Sequence, residues 1–290
     1  MAASTCLVIG ASGLVGTALV AAMSGRVDLV GLSRHRAYEG NGYRWICKDL
    51  VEGLDAADLP ERVDAVVYLA QSEQFRDFPA SARNIFEVNT VQLLNALDYS
   101  RRAGVKHFVF ASSGGVYGTG EDQFSEDFRV PATGELGFYL GTKLCSEILV
   151  RNYAPFFHTA ILRFFFIYGA RQRRNMLIPR LVDNVREGRP VDLQGTDGIR
   201  INPLHVSDAV GAIEAALSLD GSHTINVAGP DIVSLREIGL AIGRLVGRAP
   251  CWNEHPAAVA HHIVGDTGKM VRLLGAPKVG FEAGLAMSFS

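Results

Sequence analysis

Seven residues near the amino terminus, Gly10-Ala11-Ser12-Gly13-Leu14-Val15-Gly16, constrain the fold more than any other stretch of the chain. They directly follow the apolar run Cys6–Ile9 and open a segment, Leu14–Met23, whose apolar residues recur at helical spacing. Glycines at a strand-to-helix junction let the backbone turn sharply. They also let an anion approach the free N–H groups of the helix start, where the helix dipole favours negative charge. At the first βα junction this pattern points to the pyrophosphate of a dinucleotide, held by Gly10, Ser12, Gly13, Leu14, Val15 and Gly16. Elsewhere the same triplet would be an ordinary turn.

The rest of the first half supplies the sheet that such a junction needs. Short apolar runs recur at Val27–Leu32, Val63–Leu69 and His107–Ala111, the last preceded by a helical pattern over about 82–103. Fully apolar runs separated by helices suit parallel strands covered on both faces. A further strand is expected over Thr159–Phe166, then a basic loop, Arg171 to Arg174, and a helix over Leu177–Glu187 stopped by Gly188 and Pro190. A helix over 207–217, a strand at Thr224–Val227 and a capping box at Ser234 and Glu237 follow. The expected fold is α/β, a doubly wound parallel sheet with a smaller carboxy-terminal α/β lobe. Residues 1–165 form the dinucleotide-binding domain, some later segments returning to it, and 166–290 mostly form a substrate-binding lobe.

Composition narrows the function classes. The 290 residues are 48% hydrophobic and 20% charged, a globular profile with room for one large α/β domain or one and a half. Lys and Arg number 28 against 30 acids, so a net charge of −2 leaves no basic field for nucleic acid or an anionic membrane. Cys6, Cys47, Cys145 and Cys251 are scattered, which argues against a disulfide framework or a metal site. The apolar start, Met1 to Gly16, has no basic flank, and the greasiest stretch, 160–168, contains Arg163 and is too short for a bilayer. A cytoplasmic protein is expected.

The end of the second strand reads Ser33-Arg34-His35-Arg36, where an acidic residue would otherwise accept from a ribose 2′-hydroxyl. Arg34 or Arg36 would instead bind a 2′-phosphate with charge-assisted hydrogen bonds, which favours NADP over NAD. The plain alternative is a solvated basic loop.

Tyr139 and Lys143 lie four apart in a segment that reads as a helix to about Val150, so phenol and ammonium share one face. A neighbouring ammonium and an oxidised nicotinamide would both favour the phenolate and make Tyr139 a general base. Ser113, in a Ser-rich turn after a strand, would hold the substrate oxygen.

Taken in order, these residues resemble the extended short-chain dehydrogenase/reductases, within them the NAD(P)-dependent sugar-nucleotide epimerase/dehydratase family with its Rossmann-type sheet. The resemblance rests on the glycine loop, Asp49-Leu50, Tyr68-Leu69-Ala70, Val88-Asn89-Thr90 and the run from Val109 to Gly118. It continues through Tyr139 and Lys143, Leu162-Arg163, Tyr168 to Gln172, His205 to Asp208, Asn226 to Gly229 and Leu273-Leu274-Gly275. It implies that Asp49 and Leu50 flank the adenine, and that Leu69, Ala70 and Gln71 border the nicotinamide side. Asn89, Ala111 and Phe166 fall at cofactor-contacting positions, Lys143 also binds the nicotinamide ribose, and Ser113 takes the catalytic Ser/Thr position. Ser33, Arg34 and Arg36 complete the cofactor set, and Ser113, Phe166, Arg171, Met176, Leu177 and Arg200 the substrate set.

Departures from the family pattern matter as much. Dehydratases of this type carry an Asp-Glu pair after the catalytic Ser/Thr, where this chain has Gly114 and Gly115, so dehydration is disfavoured. Phe166 replaces an Asn that touches the substrate diphosphate in relatives, and Ile201-Asn202-Pro203 stands where an arginine is common, with Arg200 nearby. The expectation is an NAD(P)-dependent epimerase or oxidoreductase, its substrate a nucleotide-sugar and its assembly a homodimer. A keto-reductase of another small carbonyl compound and a non-catalytic dinucleotide-binding regulator are the alternatives.

Overall fold

The computed structural model describes residues 5–36, 42–121, 123–130 and 136–290. In chain order its elements begin with β1 (Thr5–Ile9), α1 (Leu14–Met23), β2 (Asp28–Ser33), β3 (Arg44–Cys47) and β4 (Ala65–Tyr68). Then come α2 (Ala82–Phe86), α3 (Gln92–Ala103), β5 (His107–Ser113), α4 (Gly137–Asn152), β6 (His158–Phe164), β7 (Ile167–Tyr168) and α5 (Leu177–Glu187). The series continues with β8 (Pro190–Gln194), β9 (Arg200–Ile201), β10 (Leu204–His205), α6 (Val206–Ala216) and β11 (Ser222–Val227). It closes with β12 (Val233–Ser234), α7 (Leu235–Val246), β13 (Cys251–His255), α8 (Gly268–Leu273) and α9 (Phe281–Phe289).

The chain divides into two compact units. One comprises residues 1–116, 130–163 and 210–225, the other 117–129, 164–209 and 226–290.

The first unit is built on a seven-stranded sheet ordered β11-β6-β5-β4-β1-β2-β3. The pairs β1–β2, β1–β4, β2–β3 and β4–β5 all run parallel. Strand order reverses between β1 and β4, and such a switch point opens a crevice at the carboxyl ends of the strands. Leu7, Ile9, Val30, Leu32, Val66, Phe108 and Phe110 form the sheet's share of the core, against Leu93, Ala96 and Leu97 of α3 and Val150 of α4. The doubly wound sheet expected from the apolar runs is therefore present.

One helix differs from its periodicity. The pattern over 82–103 is broken by a π-helical turn at Glu87–Val91 between α2 and α3. The wider turn accompanies inward bonding that apolar spacing does not report. Asn89 Oδ1 accepts from Ser72 N at 2.8 Å, and Asn89 O accepts from Ser146 Oγ at 2.8 Å. Gln92 Oε1 accepts from Leu54 N at 2.7 Å.

The second unit packs Tyr168, Ile178, Leu181, Val182 and Val185 with Val191, Leu193, Ile238, Ile242, Phe281 and Leu285. Three two-stranded sheets, β7 with β10, β8 with β13 and β9 with β12, frame it. The helix expected over Leu177–Glu187 has those bounds, and Gly188 ends it at φ +71, the left-handed cap that glycine adopts without strain. Ser234 and Glu237 form the reciprocal capping box at the start of α7.

Candidate active site

The glycine loop sits at the switch point. Gly10 has φ +91, and a Cβ there would lie 2.7 Å from Ala70 N, so only glycine lets the turn after β1 pass the end of β4. A Cβ on Gly16 would meet Gly10 O at 2.3 Å, which fixes the start of α1 hard against the loop. Gly13 differs: it is exposed, extended at φ −71, and an added Cβ would have a single neighbour, Gly10 O at 3.5 Å. As N-cap of α1, Gly13 supplies no side-chain cap, and the first turn carries no acid. The helix start thus presents backbone donors in a cradle that a side chain would fill, which fits a pyrophosphate. Ser12 is exposed beside it, while Leu14 and Val15 are half-buried.

Around this loop lie most of the other expected cofactor residues. Leu69, Ala70 and Gln71 follow β4, and Asp49 caps a short helical turn after β3 by accepting from Val51 N at 3.0 Å, with Leu50 buried behind it. Ala111 of β5 accepts a hydrogen bond from Lys143 Nζ at 2.9 Å. Asn89 is buried with both ends of its amide engaged, Nδ2 donating to Thr142 Oγ1 at 3.0 Å. It braces the site from behind.

The basic loop after β2 departs from expectation. Ser33 is buried and spends its hydroxyl on His35 O at 2.6 Å. Arg34 pairs with Glu73 at 2.5 Å, and Arg36 lies 5.7 Å from the centroid of the Tyr43 ring. A carboxylate beside Arg34 supplies the repulsion towards a 2′-phosphate whose absence was the ground for favouring NADP. Part of the loop, 37–41, lies outside the described residues.

Tyr139, Lys143 and Ser113 come together beside the ends of β4 and β5. Tyr139 Oη donates to Gln71 Oε1 at 3.0 Å, and its ring packs on Phe75 with centroids 5.0 Å apart. Lys143 Nζ lies 5.9 Å from the Tyr139 ring centroid. Ser113 Oγ accepts from Gly115 N at 3.1 Å. A Cβ on Gly115 would meet Leu140 Cδ2 at 3.0 Å and Ser113 Oγ at 3.3 Å, so a side chain there would have to displace the ends of these two.

Burial raises the Tyr139 phenol above the ordinary tyrosine value in the cofactor-free protein, although the ring keeps part of its surface. Burial also lowers Lys143 to about 8, partly opposed by the carboxylate of Glu147.

A family model described as the NAD dependent epimerase/dehydratase family matches residues 6–228. The chain belongs to that family. Among curated relatives, an uncharacterized UDP-glucose epimerase, YtcB, of Bacillus subtilis is 30% identical over 67% of this chain and 62% of its own length. A probable UDP-glucuronate 4-epimerase of Rhizobium meliloti is 28% identical over 60% of this chain and 52% of its own. The chain therefore spans between half and two-thirds of these two relatives. A solved structure, MoeE5 in complex with UDP-glucuronic acid and NAD, is 28% identical, covers 98% of this chain and 97% of its own, and superposes with a TM-score of 0.84.

In this epimerase/dehydratase-family chain, the expected substrate residues belong to the second unit, apart from Ser113. Phe166 and Arg171 are non-glycine residues at φ +43 and +65, a conformation that costs energy and concentrates at ligand sites. Phe166 and Leu177 pack partly buried on the second core, and Met176 caps α5. Arg171 is exposed, as is Arg200, whose backbone N–H donates to His262 Nδ1 at 3.1 Å. Arg174 of the basic loop is spent on Asp183, an ion pair that holds the Asp183 carboxyl low. Sequence reasoning missed Phe75, Thr142 and Glu73. Phe75 and Glu73 stand in an irregular segment with no periodicity to mark them, and Thr142 reads as ordinary helix interior.

Proposed function

We propose that the chain is an NAD-dependent epimerase that inverts a hydroxyl-bearing carbon of a nucleotide-sugar. The observation that carries this reading is the convergence of the open Gly13 cradle, Gln71, Ser113, Tyr139 and Lys143 on the carboxyl ends of β1, β4 and β5. Bound NAD supplies a two-electron acceptor and donor at its nicotinamide. Tyr139 Oη removes the proton of the substrate hydroxyl and later returns it, while the Ser113 hydroxyl orients that oxygen. Lys143 holds the nicotinamide ribose and, once the phenolate forms, stabilises it. The hydrogen on the carbinol carbon would leave as a hydride to the bound nicotinamide as Tyr139 takes the hydroxyl proton. Configuration would invert when the keto-sugar turned over before hydride and proton are given back, the hydride to the opposite face.

Gly114 and Gly115, which follow Ser113, carry no side chain to donate or accept a proton, which favours epimerisation over water elimination. NAD is preferred to NADP because Glu73 already holds Arg34. The keto-reductase alternative drew on that arginine and loses its main support. Residues 1–165 are assigned to cofactor binding, and Phe166, Arg171, Met176, Leu177 and Arg200 of 166–290 to substrate binding. Exposed Leu94 on α3 and Ile148 on α4 offer apolar surface for a homodimer. Free Cys6, Cys47, Cys145 and Cys251 suit the reducing cytoplasm.

The deciding experiment incubates the protein with NAD and either UDP-glucuronic acid or UDP-glucose. Isomerised sugar with no net change in reduced-cofactor absorbance is the expected result. Net formation or consumption of the reduced cofactor identifies a dehydrogenase or reductase instead, and no turnover with a full nucleotide-sugar panel removes the reading.

A further inference from the structure

Ser112 lies on β5 between Ala111, whose carbonyl receives Lys143, and Ser113, whose hydroxyl orients the substrate oxygen in the proposed reaction. It is 5% exposed, and its own hydroxyl donates to Glu147 Oε1 at 2.6 Å. Glu147 follows Lys143 by one turn of α4 and is wholly buried. Two successive residues of the strand, Ala111 and Ser112, are therefore bonded to two successive turns of the helix, at Lys143 and Glu147. A single bond would let the helix pivot on the strand. Two fix the register between them.

The two bonds differ in what else they must do. In the proposed reaction the Lys143 ammonium also serves the nicotinamide ribose and the phenolate, so its three donors are shared with Ala111 O. The Ser112–Glu147 bond joins two buried groups that take no part in the chemistry, and it persists while Lys143 is engaged. Glu147 Oε1 also accepts from Arg163 Nε of β6 at 2.9 Å, and Oε2 accepts from Arg163 Nη2 and Arg151 Nη2. Two guanidinium groups already balance the carboxylate, so the Ser112 hydroxyl is not needed to neutralise it. What the hydroxyl adds is a direct tie from the end of β5 to α4. Ser113, the next residue, accepts at Oγ from Gly115 N at 3.1 Å, so the turn after the strand is built on the position that this tie sets.

We propose that Ser112 is a positioning residue: through Glu147 it holds the end of β5 against α4, and so sets where the Ser113 hydroxyl stands relative to Tyr139. The assignment rests on the reading of Ser113 and Tyr139 as the groups that handle the substrate hydroxyl.

Ser112→Ala removes the tie and leaves Glu147 its two arginines, whereas Ser112→Thr keeps the hydroxyl. With NAD and UDP-glucuronic acid, Ser112→Ala should lose about tenfold in kcat, the scale of a small misplacement at a reacting centre. KM, NAD affinity and melting temperature should stay close to wild type, and Ser112→Thr should recover most of kcat. Ser112→Cys, of similar shape and a weaker donor, should fall between wild type and Ser112→Ala, which covers the case of a threonine methyl that the buried site rejects. A second readout needs no turnover. Native-state hydrogen exchange of the Gly115 amide reports its bond to Ser113 Oγ, and should quicken about tenfold in Ser112→Ala while a core amide such as that of Val8 keeps its rate. An unmoved Gly115 rate, an unmoved kcat, a loss that neither Ser112→Thr nor Ser112→Cys eases, or one matched by a general loss of protection overturns the proposal. The expected exchange pattern in a protein whose wild type turns over no nucleotide-sugar removes the epimerase reading and leaves the tie from Ser112 to Ser113 standing. Wild-type turnover with kcat and Gly115 exchange both indifferent to Ser112 does the reverse.

Discussion

Lys143 donates its ammonium to the Ala111 carbonyl at 2.9 Å from a position with almost no accessible surface, and burial there brings its pKa from 10.5 to about 8. The folded chain therefore releases a proton that the unfolded chain keeps between about pH 8 and the ordinary lysine value. Unfolding takes up protons in that window, so stability referred to this group rises as pH rises through it. Wild type should gain melting temperature relative to Lys143→Met between about pH 7 and about pH 10. A difference independent of pH would show that Lys143 ionises as a surface lysine does.

Replacing Tyr139 by Phe keeps the Phe75 ring contact and removes the proton carrier. Turnover should drop by about 10²–10⁴-fold, the usual contribution of a positioned acid/base, while NAD still raises the melting temperature. Retained turnover would relocate the chemistry to another group.

Gly13 and Gly10 separate binding from folding. A methyl group at Gly13 meets one atom at 3.5 Å, whereas at Gly10 it meets the Ala70 backbone at 2.7 Å on a left-handed φ. Gly13→Ala should melt within a degree or two of wild type and lose about tenfold or more in NAD affinity, measured by calorimetry. Gly10→Ala should lose stability outright. Equal NAD affinity in Gly13→Ala and wild type would place the pyrophosphate elsewhere.

The cofactor preference should answer to Glu73. With its partner neutralised in Glu73→Gln, Arg34 becomes available to a 2′-phosphate, so affinity for NADP should improve relative to NAD by about threefold or more. Paired affinity measurements for both cofactors check this. An unchanged ratio would mean that the exposed pair contributes little at this position, as many surface ion pairs do.

How far the sequence carried the argument follows from which interactions have a period. The glycine loop, the parallel strands, α5 with its Gly188 stop and the Ser234–Glu237 box are each written in a local pattern, and each stands where its pattern puts it. The family assignment followed from ordered local motifs in the same way. What the sequence concealed is long-range and polar. Glu73 neutralising Arg34 spans 39 positions, so the basic loop read as a phosphate site. The burial of Tyr139 depends on Phe75 and the packing around it, which the Tyr-Lys spacing does not report. The π turn at Glu87–Val91 carries the buried Asn89, and no apolar spacing marks it.

One turn beyond Lys143 on α4, Glu147 is wholly buried and ties the helix to the sheet. Its Oε1 accepts from Ser112 Oγ at 2.6 Å and Arg163 Nε at 2.9 Å, and its Oε2 from Arg163 Nη2 at 2.6 Å and Arg151 Nη2 at 2.9 Å. Arg163 is 3% exposed, so removing the carboxylate strands a guanidinium in the core. Glu147→Gln should cost about 3–5 kcal/mol in urea unfolding, since the penalty is the uncompensated charge rather than the worth of the pair. Replacing both partners, Glu147→Leu with Arg163→Met, removes that charge and should recover most of the loss. The same carboxylate opposes the desolvation of Lys143, so Glu147→Gln should also move the pH window of the Lys143 effect downward, while Glu147→Leu in the double variant does likewise without the stranded arginine. A double variant as unstable as Glu147→Gln would show that Ser112 and Arg151, rather than the buried ion pair, carry the energetics of this contact.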